Sequence, residues 1–341
     1  LYNTENDTFG GGEKSRFISQ LELIKTPLTK KIIAPKITTD KNELTEVEKN
    51  EEVLKALKKL AFKGISPSTL TNYLYNPIAF YKQKILHIKE IESVEETIAA
   101  NTMGTVVHDT LDELYTPYIN TFLTSNHIDL MLQKHKEIVK KYFFKHFKNG
   151  EILTGKNRIS FEISKRFVER FLTMEKKDLN EGNQLKIIGT ELNLETLISV
   201  PNINFPIKIR GIVDRIDLYN GTLRIIDYKT GNVKAGDLKI VNFEEIQTVK
   251  YSKAIQILLY AYMYSQQSSF DKKKSLEAGI ISFKNLKSGL LKVNFSSKSR
   301  GSDHTVTEEK LEEFIEQIKY LLQEIYNPEV SFKEPKTISY S

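Results

Sequence analysis

No cysteine occurs among the 341 residues. That absence excludes a disulfide framework and a thiolate metal site from this segment, and it is compatible with the reducing cytoplasm expected here. Long apolar runs are also missing. Nowhere do eighteen apolar residues stand together, so no membrane-spanning helix and no membrane partner are expected. The start carries no secretory signal and opens Leu1-Tyr2-Asn3 rather than with methionine, which reads as a fragment of a longer polypeptide. The Gly10-Gly11-Gly12 turn lacks the lysine spacing of a phosphate-binding loop. Internal repeats are absent, and low complexity is confined to the charged stretch near residues 40–63. Charge of one sign barely predominates: Lys+Arg 50 against Asp+Glu 44 leaves +6, which permits nucleic-acid binding without requiring it.

What is present is concentrated in GIVDRIDLYNGTLRIIDYKTG, residues 211–231. Asn220-Gly221 is a strong hairpin signal, because a type I′ turn needs φ > 0 at both central residues. With those two residues as the loop, residue i faces residue 441 − i, and Asp214 stands opposite Asp227. Opposed residues share a face, and the period of two adds Leu223, Ile225 and Lys229 to it. Two facing carboxylates destabilise a ladder unless a cation compensates. Lys229 can neutralise one charge, so a divalent metal is the natural candidate for the rest. The plainer reading is a solvated hairpin in which the aspartates pair with Arg215, Lys229 or Arg224.

Elsewhere the punctuation marks out helices and strands. Ser66-Pro67 and Asn76-Pro77 each combine an N-cap with proline at the first helical position, predicting two short helices joined at a bend. Tyr73, Leu74, Phe80, Tyr81 and Ile85 fall at helical spacing as core. A helix over 102–115 carries His108 beside the stripe Val107, Leu111 and Leu114. Long helices are predicted near 127–148 and 159–180, and strands near 186–198 and over 276–284. The segment SKAIQILLYAYMYSQQ reads as a helix burying Ile255, Leu258, Leu259, Tyr262 and Met263, with Gln256 and Tyr260 together on a different face. A last amphipathic helix runs from Leu311 to Ile325, with Thr305 and Glu308 as a capping box. Ser15 to Ile24 reads as a short helix or strand.

The stretches G-I-V-D-R-I-D and I-I-D-Y-K-T-G resemble motifs of the PD-(D/E)XK nuclease superfamily, and more narrowly those of RecB/AddB-type nuclease domains. G-T-V-V-H, ending at His108, resembles that family's first motif, and Gln256 to Tyr260 its Q-x-x-x-Y motif. The resemblance spans roughly residues 65–335, with its specificity in five short motifs. It implies an α/β fold with a restriction-endonuclease-like αβββαβ core, a mixed sheet and large helical insertions. It implies Mg²⁺ or Mn²⁺ held by His108, Asp214, Asp227 and the backbone carbonyl of Tyr228. Lys229 would orient the attacking water or stabilise developing charge, and Gln256 and Tyr260 would position the scissile phosphate or Lys229. Glu191, on the first core strand, is a weaker auxiliary candidate. Many relatives carry a cysteine before the second proline as an iron–sulfur ligand; Asn76 stands there, so no cluster is expected. The opening stretch resembles the end of a helicase-like region, an ordered tail packing on the main domain being the other reading, and the charge-rich composition near 40–63 marks a linker. The division expected is 1–45 tail, 46–64 helical linker and 65–341 nuclease domain. The substrate would be DNA, the partner a helicase subunit or region, and the process double-strand-break repair and recombination. A catalytically decayed DNA-binding scaffold is the alternative. A glycosidase built on the paired carboxylates has no use for His108 and Lys229.

Overall fold

The hairpin organises everything around it. Asn220 (φ 48) and Gly221 (φ 84) both adopt the left-handed conformation that a type I′ turn demands. They join strand β3 (Ile207–Tyr219) to β4 (Thr222–Lys229), pairing Tyr219 with Thr222 and continuing in that register to Arg215 with Ile226. The computed structural model describes residues 16–24, 27, 44–88, 98–147, 154–268, 270–271, 273–295 and 301–335. The Gly10-Gly11-Gly12 turn lies outside them. Residues 1–43 and 44–341 form separate units. In the first, the stretch expected as a short helix or strand is helix α1 (Arg16–Leu23).

The second unit opens with β1 (Glu46–Val47) and α2 (Glu51–Lys63), then α3 (Pro67–Tyr75) and α4 (Pro77–Phe80), which runs into a π-helical turn over Tyr81–Ile85. Ser66 and Asn76 cap α3 and α4 by accepting from the Thr69 and Ala79 backbone N–H groups. After α5 (Ala100–Tyr115) come the two long inserted helices, α6 (Ser125–His146) and α7 (Gly155–Asn180), then β2 (Leu185–Ile198) ahead of the hairpin. Past β4 the chain forms α8 (Ser252–Ser265), β5 (Leu276–Ser282), β6 (Leu290–Lys292), α9 (Glu308–Tyr326) and β7 (Phe332–Lys333). The main sheet has the order β2-β3-β4-β5-β6; β4 and β5 are parallel, linked through α8, and the other pairs are antiparallel. The α5-β2-β3-β4-α8-β5 succession is the αβββαβ order.

Helices cover both faces of this sheet. Leu57, Leu70, Ile255, Leu258, Phe314 and Ile318 bring α2, α3, α8 and α9 against Ile207, Ile209 and Ile225. Val107, Val139, Phe143 and Phe171 bring α5, α6 and α7 against Ile187, Ile226 and Tyr228. Strand β4 alternates between the two cores, so both sides of it are apolar except where Asp227 intrudes. The helix expected as part of a linker, α2, lays Val53, Leu57 and Ala61 into the first core. The α9 cap differs from expectation. Thr307, not Thr305, accepts from the Lys310 N–H, while Thr305 forms a bridge with Glu277 that holds it in extended backbone.

One irregularity matters for the site. Ile207, Ile209 and Val213 face the same core as Ile216, so odd positions of β3 give way to even ones within three residues. On the neighbouring strand Thr190 pairs with Arg215 and Leu192 with Val213, leaving Glu191 across from Asp214. Glu191 has φ 43, a conformation costing about 1–2 kcal/mol for a residue with a Cβ.

Candidate active site

Asp227 is 2 % exposed, and each of its oxygens has an assigned neighbour. The Lys229 ammonium lies 2.7 Å from Oδ2, as expected for residues two apart on one strand face. The Gln256 amide donates to Oδ1 at 3.1 Å and reaches the Tyr260 hydroxyl at 3.3 Å, so the i, i+4 pair on α8 works as a unit. Tyr260 itself is buried, and its ring packs over Gly211, where a Cβ would lie 2.7 Å from the ring. The pair therefore faces the sheet rather than a surface, and α8 is buried nearly all round, with Tyr262 only half-buried.

Asp214 ends the hairpin ladder. Its Oδ2 accepts from the Tyr228 backbone N–H at 2.6 Å, taking a donor that a regular ladder would use for the next inter-strand bond. Its Oδ1 is 3.3 Å from His108 Nδ1. The other ring nitrogen, Nε2, is 2.9 Å from the Tyr228 carbonyl oxygen. A carbonyl only accepts, so Nε2 is placed to donate to it, while the Asp214 carboxylate beside Nδ1 favours the protonated ring. Burial works against that charge, but the Asp214 hydrogen bond and the Asp214 and Asp227 charges outweigh it and push His108 up to about 9.

Glu191 joins this group. One ligand atom from each of His108, Glu191 and Asp214 lies within 4.8 Å of the other two. Burial and the Asp214 charge push Glu191 up to about 7. Asp227 is raised as well, by burial first and by Asp214, with Lys229 opposing. Hard carboxylate oxygens, a backbone carbonyl and one imidazole suit Mg²⁺ or Mn²⁺, and the raised carboxylates and protonated ring register a local deficit of positive charge. The group borders a cleft of about 370 Å³ lined in part by Gly104, Thr105, His108, Glu191, Tyr228 and Lys229.

Behind the cleft stands a cluster not anticipated from sequence. Arg215 is fully buried and pairs with Asp217 and Glu175, each at 2.8 Å, rather than with Asp214 or Asp227. Its guanidinium lies 4.8 Å from the Tyr115 ring centre and 3.3 Å from the Tyr228 hydroxyl, while Tyr115 donates to Glu175. Arg224 closes the second side of Asp217 at 2.7 Å. The available signal was Arg215 and Asp217 two residues apart, hence on the face opposite Asp214.

A mixed sheet flanked by helices, with Asp214 and Asp227 placed where its central strands part and Lys229 two residues on, is the arrangement of the PD-(D/E)XK class. A model of the PD-(D/E)XK nuclease superfamily matches residues 64–337, and the chain belongs to that superfamily. It is similar to the B subunit of the ATP-dependent helicase/deoxyribonuclease of Clostridium perfringens (strain SM101 / Type A), 30% identical over 207 residues, 56% of this chain and 17% of that protein. An uncharacterized protein of Rickettsia felis is 26% identical over 171 residues, 50% of this chain and 19% of that protein. The chain thus spans about one fifth of the length of the curated relatives it matches.

Proposed function

We propose that this chain is a Mg²⁺- or Mn²⁺-dependent deoxyribonuclease, acting beside a helicase subunit or region in double-strand-break repair. The observation that carries the reading is the convergence of Asp214, Asp227, Lys229 and His108, with Gln256 bonded to Asp227 from behind. In this reading residues 65–341 carry the nuclease motifs, the 46–64 segment expected as a linker contributes α2 to their core, residues 1–45 are the tail of a helicase-like region, and the setting is cytoplasmic. No helix among the described residues is long and apolar enough to cross a membrane.

His108, Asp214, Asp227 and the Tyr228 carbonyl would hold the ion, with Glu191 as a further carboxylate. A bound divalent ion supplies Lewis-acid polarisation of the phosphodiester and a lowered pKa for coordinated water. Lys229 directs its ammonium at the water or at charge developing on the phosphorus oxygens. Gln256 holds Asp227 by one oxygen, Lys229 pairs with the other, buried one, and Tyr260 fixes the amide. Linear DNA should be degraded with Mn²⁺ or Mg²⁺ and left intact in EDTA; undiminished cleavage by thoroughly chelated protein would overturn the mechanism.

The titrating groups give a second test. Glu191 at about 7 lies above an ordinary carboxylate, so its contribution to stability is complete at low pH and lost as pH rises through 7. Asp227 shifts in the same sense. His108 at about 9 contributes fully below its unfolded value of about 6.5, and that contribution is lost as pH rises through 9. All three decline in the same direction as protons leave, the carboxylates up to about pH 7 and His108 between about 6.5 and 9, and exchanging those protons for Mn²⁺ removes the decline. The melting-temperature gap between Mn²⁺ and EDTA samples should therefore widen from pH 5 to pH 9. A gap that stays constant would count against this ligand set.

A further inference from the structure

The chain's excess positive charge is not spread over the fold. Residues 125–180, which hold α6 and α7, contain thirteen lysines and arginines against seven aspartates and glutamates. Subtracted from 50 and 44, these leave 37 of each elsewhere, so the whole +6 resides in the inserted helices. The two are antiparallel. Phe143 near the end of α6 packs at 5.2 Å on Phe161 near the start of α7, and Lys176 near the end of α7 pairs at 2.6 Å with Asp129 near the start of α6.

The connecting end of this helical hairpin stands at the candidate active site. His146 meets Asp109 at 2.8 Å and Lys145 reaches the same carboxylate at 3.4 Å, and Asp109 lines the cleft. Asn157 accepts from the Ile98 N–H at 2.9 Å, immediately before α5 brings Ala100 and Asn101 to the cleft wall. Lys141, Lys145, Lys165, Lys176 and Lys177 are paired with carboxylates. Others, including Lys136, Lys140, Lys156, Arg158, Arg166 and Arg170, are exposed and make no ion pair among the described residues. Glu137 and Glu169 are the exposed carboxylates on these helices likewise without one among the described residues. Lys136, Lys140 and Phe144 recur every four residues along α6, as do Arg158, Glu162, Arg166 and Arg170 along α7, which puts each set on one helix face. Among these cations Phe144 is 50% exposed, with the Lys140 ammonium 6.0 Å from its ring centre, and Ile159 is 61% exposed.

These helices carry both signs of charge, but exposed cations without an ion pair outnumber such carboxylates among the described residues, and an aromatic ring lies exposed among them. Unpaired cations around an exposed ring, running from a nuclease cleft, match a nucleic-acid strand: phosphates meet the cations and a base stacks on the ring. We propose that the α6–α7 hairpin is a guide that binds single-stranded DNA outside the cleft and leads it to the site. This rests on the nuclease reading for its ligand and reaches beyond it to the path that ligand takes. Interactions of this kind position the strand without reading its sequence.

The test uses the full chain in EDTA, so that nothing is cleaved, with a labelled 20-nucleotide oligothymidylate titrated across a salt series. Lys140→Ala, Lys156→Ala, Arg158→Ala and Arg166→Ala combined should weaken binding more than about tenfold at low salt. The slope of log K against log salt should drop by about 0.7 for each phosphate no longer neutralised. Phe144→Ala should weaken binding about tenfold with the slope unchanged. Neutralising Lys55, Lys59 and Lys63 on α2 should do neither. No binding by the wild-type chain, a folded quadruple variant with wild-type affinity and slope, or an equal loss in the α2 control overturns the proposal. A wild-type chain that binds the oligonucleotide but cleaves nothing with Mn²⁺ overturns the nuclease reading and leaves the hairpin's role standing.

Discussion

Lys229→Ala is expected to lower single-turnover cleavage about 10²–10³-fold at saturating Mn²⁺, the range for losing one group aimed at developing charge. The same substitution leaves Asp227, 2 % exposed, with the Gln256 amide as its remaining partner. Without metal that should destabilise the protein by about 1–3 kcal/mol, the cost of an unsatisfied buried acceptor. Mn²⁺ should restore the melting temperature, because it supplies the missing positive charge, but not the rate. Asp227→Ala should behave differently, losing Mn²⁺ affinity together with cleavage. Melting temperature, Mn²⁺ affinity and single-turnover rate for both variants separate the two roles of the lysine. If folded, metal-saturated Lys229→Ala cleaves at nearly the wild-type rate, Lys229 balances charge and nothing more.

Arg215→Ala should be the most destabilising single change near the site. Its guanidinium is fully buried between Glu175 and Asp217, and removing it leaves Glu175 buried with only the neutral Tyr115 hydroxyl, leaves Asp217 to Arg224 alone, and opens a void against Tyr115. Breaking a buried ion pair from one side costs about 3–5 kcal/mol. At about 2 °C per kcal/mol for a domain of this size, the melting temperature should fall by about 6–10 °C. Arg215→Lys should recover only part of this, since an ammonium cannot reach two carboxylates and a hydroxyl in one plane. The effect should appear equally with and without Mn²⁺, which distinguishes it from substitution of a metal ligand. A loss below about 1 kcal/mol would show that the cluster contributes little net stability.

The parts of the molecule legible in sequence are those decided locally. Asn220-Gly221 sets the turn, the turn sets the register, and the period of two then carries Asp227 and Lys229 to one face. Ser66-Pro67 and Asn76-Pro77 mark their helices because cap and proline act within one turn. Tertiary context overrode local signals elsewhere. Thr305 has the side chain of an N-cap, but its bridge to Glu277 keeps it extended and passes the cap to Thr307. The left-handed backbone of Glu191 has no signal in an isoleucine- and leucine-rich strand; it sits just past the register shift at Ile187/Gly189 and beside the stretch of β3 where the alternation changes. The Arg215 cluster was hidden because Glu175 arrives from an inserted helix some forty residues earlier. Alternation along β3 exposes a buried charge without naming its partner.

Tyr228 joins these scales in one residue. Its ring is wedged between Phe171 and Phe283, with ring centres 5.6 and 5.8 Å away, and its hydroxyl meets Arg215. Its peptide N–H binds Asp214 while its carbonyl meets His108. A tilt of that ring is therefore transmitted to two groups of the site through the two peptide planes that meet at the Tyr228 Cα. If the proposed hydrolysis holds, packing matters to it as well as acids and bases, and enlarging or truncating Phe171 or Phe283 should appear as lost turnover before lost folding.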